Sequence, residues 1–135
     1  MAYELRWVIP LRVLLIELEN EVTMGEMALM IAETHVYVNA GVPQIHILID
    51  ASKLLNKPIN FHEMNEIAKS IPNPAIGWWI LINPGKMIWF AASMLSRLTN
   101  IKLKSARNIE EALNILERVD LALDTEPTQR QRIYK

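Results

Sequence analysis

The segment 45–54, IHILIDASKL, places chemically capable side chains directly after a run of strand-forming aliphatic residues. Asp50, Ser52 and Lys53 supply a carboxylate, a hydroxyl and an amine where the predicted strand 45–50 ends. In an α/β sheet, the carboxyl ends of central strands are where ligands and partners are met. These three residues are therefore candidate binding residues. A simpler interpretation is loop formation, because Asp and Ser side chains hydrogen-bond nearby amides where a strand turns away.

A second candidate site is the motif NPGK at 83–86, which joins a predicted strand to a helix start. Asn83 and Lys86 flank a glycine there, and free amides at a helix start can hold an anion. The motif lacks the full glycine pattern of phosphate-binding or dinucleotide-binding loops. A simple turn is the better interpretation, with Asn83 and Lys86 kept as binding candidates.

The residues that usually carry catalysis or bind metals are sparse or isolated. His35, His46 and His62 are not spaced as zinc ligands are, and ordinary packed or surface histidines are the simpler interpretation. The chain has no cysteine, which excludes disulfides, thiol catalysis and cysteine-bound metal. No nucleophile–base–acid set emerges from the spacing, although a triad assembled in space stays open. The sequence therefore predicts a protein that is not an enzyme, without a cofactor or a metal.

The composition of the chain limits the kind of protein that it can be and the classes of partner that it can bind. With 135 residues, 51% hydrophobic and 21% charged, the chain is predicted to be one globular domain. A net charge of −1 argues against nucleic acid and anionic lipid as partners. The longest apolar runs are far shorter than the ~20 residues that span a bilayer, and the start lacks a signal-peptide pattern. The short apolar runs, the missing signal-peptide pattern and the absence of cysteine together predict a cytoplasmic protein.

Apolar periodicity and turn residues divide the chain into nine predicted elements. Two strands are separated by only two residues, which favours an antiparallel hairpin. Helices and strands then alternate, which indicates crossovers onto a mostly parallel sheet. The elements are strands at 3–9 and 12–18, a helix at 23–41, a strand at 45–50, a helix at 60–71, a strand at 75–83, a helix at 86–99, a strand at 101–105 and a helix at 108–123.

Individual residues are predicted to begin a helix, to end one or to face the core from one. Gly41 is predicted to end the first helix in the left-handed conformation. Leu98 is predicted to face inward on the third helix. Three helix starts carry a capping residue followed three positions later by Glu, namely Thr23 with Glu26, Asn60 with Glu63 and Asn108 with Glu111.

The element order, together with ILIDASKL, AIGWWILIN and SARNIEEALNIL, resembles the STAS domain family, in its bacterial anti-sigma-factor-antagonist-like, CRAL-TRIO-like branch. The resemblance covers residues 3–123. It implies an α/β fold with a five-stranded, mostly parallel sheet, an antiparallel first strand and four helices. It also implies the spatial strand order 1-3-2-4-5, with Lys102 and Lys104 on an edge. We expect a domain at 1–123 and a loose tail at 124–135.

The resemblance implies a regulatory module that binds a protein partner at the surface between strand three and helix two. In the antagonists, a phosphorylated serine or threonine opens helix two. Asn60 stands at that place here, and it can cap the helix but cannot be phosphorylated. Ser52 lies eight positions earlier and is a poor substitute. We therefore expect a partner-binding module without the family's phosphorylation switch.

Two further expectations concern apolar surface. The CRAL-TRIO-like shape allows small-molecule or lipid binding in an apolar pocket. A buried pocket lined by Met and Trp would favour that alternative, and a flat apolar patch around helix two would favour protein binding. Trp78 and Trp79 point to opposite faces of their strand, so we expect at least one to lie under helices. The other is expected either on a dimer or partner face or in a lipid-sized pocket. We predict a homodimer that buries Trp7 or one of Trp78 and Trp79.

Overall fold

The computed structural model of the chain describes residues 2–55 and 60–120. The predicted loose tail at 124–135 and the last three residues of the predicted domain lie outside the described residues. No helix of the described residues is both long and apolar enough to cross a bilayer.

Within the described residues, five strands and four helices follow one another in the predicted order β-β-α-β-α-β-α-β-α, which confirms the predicted fold class. Their bounds differ from the predicted ones mainly at the element ends. They are β1 (Tyr3–Ile9), β2 (Val13–Asn20), α1 (Met24–Asn39), β3 (Ile45–Leu54), α2 (Phe61–Ala68), β4 (Ile76–Ile82), α3 (Lys86–Thr99), β5 (Lys102–Ala106) and α4 (Ile109–Val119).

The five strands form one sheet in the order β1-β2-β3-β4-β5. β1 is antiparallel to β2, and the remaining neighbours are parallel. The order 1-3-2-4-5 implied by the resemblance is therefore wrong. The reason is the short turn after Ile9, which makes β1 and β2 direct neighbours and leaves only the other side of β2 open to β3. β5 lies at an edge, as expected for the strand carrying Lys102 and Lys104.

β3 is longer than the predicted strand 45–50. It continues to Leu54 because β2 also continues, and Glu19 and Asn20 pair with Lys53 and Leu54 beyond a register shift. Ser52 consequently lies within the strand rather than in a loop.

The capping predictions are confirmed at all three helix starts. Thr23 forms the full reciprocal box with Glu26, and the side chains of Asn60 and Asn108 accept amide hydrogen bonds in the first turns of α2 and α4. The prediction for Gly41 is wrong, since no described glycine has a positive φ. Gly41 is needed for close packing instead, because a Cβ there would lie 2.8 Å from the carbonyl oxygen of Leu11.

The sheet separates two apolar cores. The core under α1, α2 and α3 contains Leu14, Ile47 and Trp79, and we call this side the three-helix face. The core on the opposite side, the α4 face, contains Leu48 and Ile80 together with the apolar stripe of α4. Among the described helices, α1, α2 and α3 cover one face of the sheet, whereas α4 alone covers the other. Part of the α4 face is therefore left uncovered and carries charged side chains. On α3, the prediction for Leu98 is wrong, because that side chain is 63% exposed.

Candidate functional site

The side chains at the carboxyl end of β3 are bound to one another. Asp50 Oδ1 accepts hydrogen bonds from the Ser52 hydroxyl at 2.6 Å and from the Ser52 amide at 3.0 Å. Lys53 is exposed and lies 3.8 Å from the carboxylate of Glu19 on the neighbouring strand. This local bonding by Asp50 is the kind predicted from its residue type, although it forms within a strand. A partner role for the three residues stays a prediction.

A row of carboxylates crosses the α4 face at this end of the sheet. Glu4 pairs with Glu17 across β1 and β2, and Glu17 pairs with Asp50 across β2 and β3. Directly paired residues point to the same side of a sheet, so the three carboxylates are neighbours. Arg6 contacts Glu17 at 3.1 Å and offsets part of this charge, although both side chains are well exposed. We call Glu4, Glu17 and Asp50 the acidic row.

Asn60 occupies the position where the resemblance expects a phosphorylated residue. Its Oδ1 accepts hydrogen bonds from the amides of His62 at 2.9 Å and Glu63 at 3.2 Å. The side chain is therefore used as a helix cap, which satisfies two amides that the first turn leaves without helical partners.

The NPGK segment forms a turn into α3. Asn83 has a positive φ of 49°, and its amide donates to the carbonyl of Ala106 at 2.7 Å. Gly85 caps α3 without a side-chain hydrogen bond, and Lys86 is exposed. These contacts describe a strand-to-helix turn, and a binding role for Asn83 and Lys86 stays a prediction.

A large apolar cavity opens between the three-helix face of the sheet and its helices. Its volume is about 400 Å³. Its wall is mostly aliphatic and includes four methionines and one tryptophan, which are Met24, Met27, Met30, Met64 and Trp79. The polar residues that line it come from the end of β2, from the segment after it and from the start of α2, and they are Asn20, Glu21, Thr23, Asn60 and Glu63. This is the Met- and Trp-lined pocket that was expected to favour small-molecule binding.

A buried polar network lies on the α4 face, at the amino end of β3. His46 is 2% exposed, and its Nε2 lies 2.9 Å from Asp120 Oδ2. Its Nδ1 accepts a hydrogen bond from the Trp78 amide at 3.0 Å. Arg12 also contacts Asp120, at 2.7 Å, and donates to the Gln44 carbonyl. The network ties the end of α4 to β3, to β4 and to the turn between β1 and β2.

This geometry determines the protonation of His46. A ring nitrogen that accepts a hydrogen bond carries no proton, so Nδ1 is bare and Nε2 donates to Asp120. Burial lowers the pKa of His46 below its ordinary value, and this effect outweighs the opposing effect of Asp120, which raises it. The histidine is therefore neutral, and it has no nucleophile beside it among these contacts.

The other two histidines do not extend this network. His35 connects α1 to the end of α2, with Nε2 lying 2.6 Å from the carbonyl oxygen of Ser70. His62 is exposed at the start of α2. Among residues 2–55 and 60–120, no group of His, Asp and Glu side chains could hold a metal ion.

The three candidate interface tryptophans differ in their surroundings. Trp79 is 7% exposed and belongs to the core of the three-helix face. Trp78 is partly exposed on the other face, with the ammonium groups of Lys102 and Lys104 at 5.6 and 5.1 Å from its ring centroid. Trp7 packs edge-on against Tyr37. Trp7 and Trp78 keep exposed surface that a second copy could cover, and the homodimer stays a prediction.

The arrangement of helices and strands is a STAS-like α/β fold, and solved structures share it. The chain is similar to the anti-sigma factor antagonist SpoIIAA in its unphosphorylated form, with a TM-score of 0.59 and 17% identity, over 91% of this chain and 100% of that one.

It is also similar to an uncharacterized protein of the DUF3478 family from Shewanella loihica PV-4, which has a SpoIIAA-like fold. That TM-score is 0.58 at 16% identity, over 85% of this chain and 92% of the other. No family model matches the sequence, and neither does any curated protein. The likeness therefore establishes the fold.

Proposed function

We propose that this chain is a non-enzymatic regulatory module that binds a protein partner at the carboxyl end of its sheet. The support is the STAS fold shared with an anti-sigma factor antagonist, together with exposed polar groups at the end of β3 and the start of α2. The acidic row adjoins this end and favours a partner segment that carries Lys or Arg. The proposal places the protein in a bacterial cytoplasm.

Regulation in this proposal does not depend on phosphorylation at helix two. The observation that supports this is the cap made by Asn60, whose carbonyl oxygen is engaged by two amides of α2. An amide side chain has no hydroxyl to phosphorylate. Detection of a phosphate on Ser52 in cells, together with changed partner binding, would overturn this part of the proposal.

A site-specific crosslinking experiment tests the partner surface. A photo-reactive phenylalanine analogue replaces Ser52 at the end of β3, and a matched variant carries it at Glu117, which is exposed on α4. We expect one discrete adduct in host cells from position 52 and none of the same mass from position 117. The adduct should weaken when Glu4 and Glu17 are both changed to Gln. Equal adducts from both positions would refute a partner site at the end of β3.

The cavity favours a second candidate function, the binding of an apolar small molecule. Pockets of a few hundred Å³ with a mostly apolar wall and a few polar groups are typical ligand sites. Native mass spectrometry of freshly purified protein tests this candidate and the homodimer together. Additional mass that is lost on mild activation would support a ligand. A mass equal to the bare chain, before and after incubation with an apolar ligand, would argue against it.

A further inference from the structure

The outer edge of β5 is a further interaction surface of the sheet. We infer that β5 binds an extended segment of a partner protein as an added strand, and that Lys102 and Lys104 select a segment with a carboxylate at every second position. β5 lies two strands away from β3, so this site is separate from the partner surface proposed above.

The backbone of β5 has hydrogen-bonding groups along its outer edge. Among the described residues, β5 pairs with β4 alone. The Ala106 carbonyl accepts the Asn83 amide at 2.7 Å from the β4 side. The amide and the carbonyl of one residue point to the same edge of a strand, and those of the next residue point to the opposite edge. Leu103 and Ser105 therefore direct theirs away from β4, where an added strand could bond to them.

Two ammonium groups accompany this edge on the α4 face. In the pairing of β4 with β5, Lys102 lies beside Trp78 and Lys104 beside Ile80. Both lysines are exposed, and their ammonium groups lie 5.6 and 5.1 Å from the Trp78 ring centroid. No carboxylate of the described residues forms an ion pair with either lysine. The contact with Trp78 restricts both ammonium groups before a partner binds, which lowers the entropic cost of binding.

The spacing of the two lysines determines the chemistry of the partner. Side chains at every second position of a strand lie on one face of the sheet. An added strand with Asp or Glu at alternate positions would therefore place its carboxylates beside Lys102 and Lys104, and opposite charges on neighbouring strands stabilise their pairing. The intervening side chains would lie next to Leu103, which packs against the core of the three-helix face, so apolar residues are favoured there.

A second copy of this chain does not fit the same edge. A twofold pair of antiparallel β5 strands would bring Lys102 and Lys104 of one copy beside those of the other, and like charges opposite each other destabilise a sheet. Lysines on an edge strand thus oppose pairing between identical edges. The same two charges favour a strand that carries carboxylates.

Synthetic peptides test the inference on the full chain. The probe is a capped peptide of four Glu–Val repeats. One control peptide has four Lys–Val repeats, and the other has four Glu followed by four Val, which keeps the composition and removes the alternation. In titration calorimetry at neutral pH and low salt, the probe should bind, and both controls should bind at least roughly tenfold more weakly, which corresponds to about 1.4 kcal/mol.

Variants locate the site and separate backbone pairing from charge attraction. A Lys102→Gln, Lys104→Gln double variant should bind the probe at least roughly tenfold more weakly. Lys69→Gln, at an exposed lysine at the end of α2, should bind it as the wild type does. Probes that are N-methylated at every Val or at every Glu lack the amide donors of one edge or of the other, and one of the two should lose binding to the same extent. In the complex, hydrogen exchange should slow at the amides of Leu103 and Ser105.

Equal binding of the probe and of the peptide without alternation would mean that charge alone is recognised, and full binding of both N-methylated probes would mean the same. Either result would overturn strand addition. Unchanged binding to the double variant would place the site elsewhere. Slow exchange at Leu103 and Ser105 in the free protein would also overturn the inference. It would mean that the edge is already covered, by a second copy if the protection increases with concentration and by another segment of the chain if it does not. The partner site at the end of β3 is tested separately, by the crosslinking experiment.

Discussion

The stability of the fold should decrease as the pH falls below about 6.5, because His46 is held neutral. Burial lowers its pKa in the folded protein below the ordinary value near 6.5 that applies to the unfolded chain. As the pH falls through that value, the unfolded chain binds a proton that the folded protein does not. Unfolding then becomes more favourable, and the loss continues until the pH reaches the folded pKa.

The expected magnitude follows from one proton and one hydrogen bond. A single proton bound only by the unfolded chain lowers the free energy of unfolding by at most about 1.4 kcal/mol per pH unit. His46→Asn keeps an acceptor near the Trp78 amide but cannot reach Asp120 and does not titrate. Above pH 7, this variant should be about 1.5–3 kcal/mol less stable than the wild type, the usual range for a lost hydrogen bond to a charged group.

Urea unfolding at intervals from pH 8 to pH 5 measures both effects. The difference in unfolding free energy between wild type and His46→Asn should be constant above pH 7 and should shrink below pH 6.5. Subtracting the variant removes the titration of other groups that the two proteins share. A difference that grows as the pH falls would mean that folded His46 is protonated and paired with Asp120, which would refute the neutral assignment.

Four further predictions can be checked on the purified protein. Ile80→Ala should cost about 2–5 kcal/mol in urea unfolding because Ile80 is fully buried, whereas Ile49→Ala should cost less because Ile49 is only partly buried. Gly77→Ala should lower the free energy of unfolding by about 1–3 kcal/mol, because a Cβ at that position would lie 2.6 Å from the His46 ring. Gly25→Ala is the control and should not destabilise the fold, since its Cβ would meet no atom closer than 3.9 Å. Asn60→Ala should cost about 0.5–2 kcal/mol and increase amide hydrogen exchange mainly in α2. Light scattering should show a dimer mass at micromolar concentration, and a monomer mass unchanged on tenfold concentration would remove the dimer.

Local features of the fold could be predicted because each is encoded within a few residues. The capping pair of Thr23 and Glu26 and the two-period pattern of β1 act at short range and define their elements. The strand order was mispredicted where the expectation came from resemblance rather than from the hairpin itself. The role of Gly41 was also mispredicted, because its contact with Leu11 joins segments thirty residues apart.

The candidate sites also differ in how far they could be predicted, because some are formed by neighbouring residues and others by residues far apart in the chain. The pair of Asp50 and Ser52 is local, so its hydrogen bonding could be anticipated from residue type. The network of His46, Arg12 and Asp120 could not, because Asp120 lies seventy-four residues beyond His46 in the chain. No spacing rule connects residues that meet only after the sheet has formed.

The apolar cavity and the proposed partner surface share the start of α2. The start of α2 contributes Asn60 and Glu63 to the lining, and its inner side contributes Met64 and Ile67. A ligand in the cavity would therefore contact the helix that carries part of the proposed partner surface. Because a ligand stabilises the state that binds it, occupancy of the cavity would stabilise α2 in the conformation that contacts the ligand.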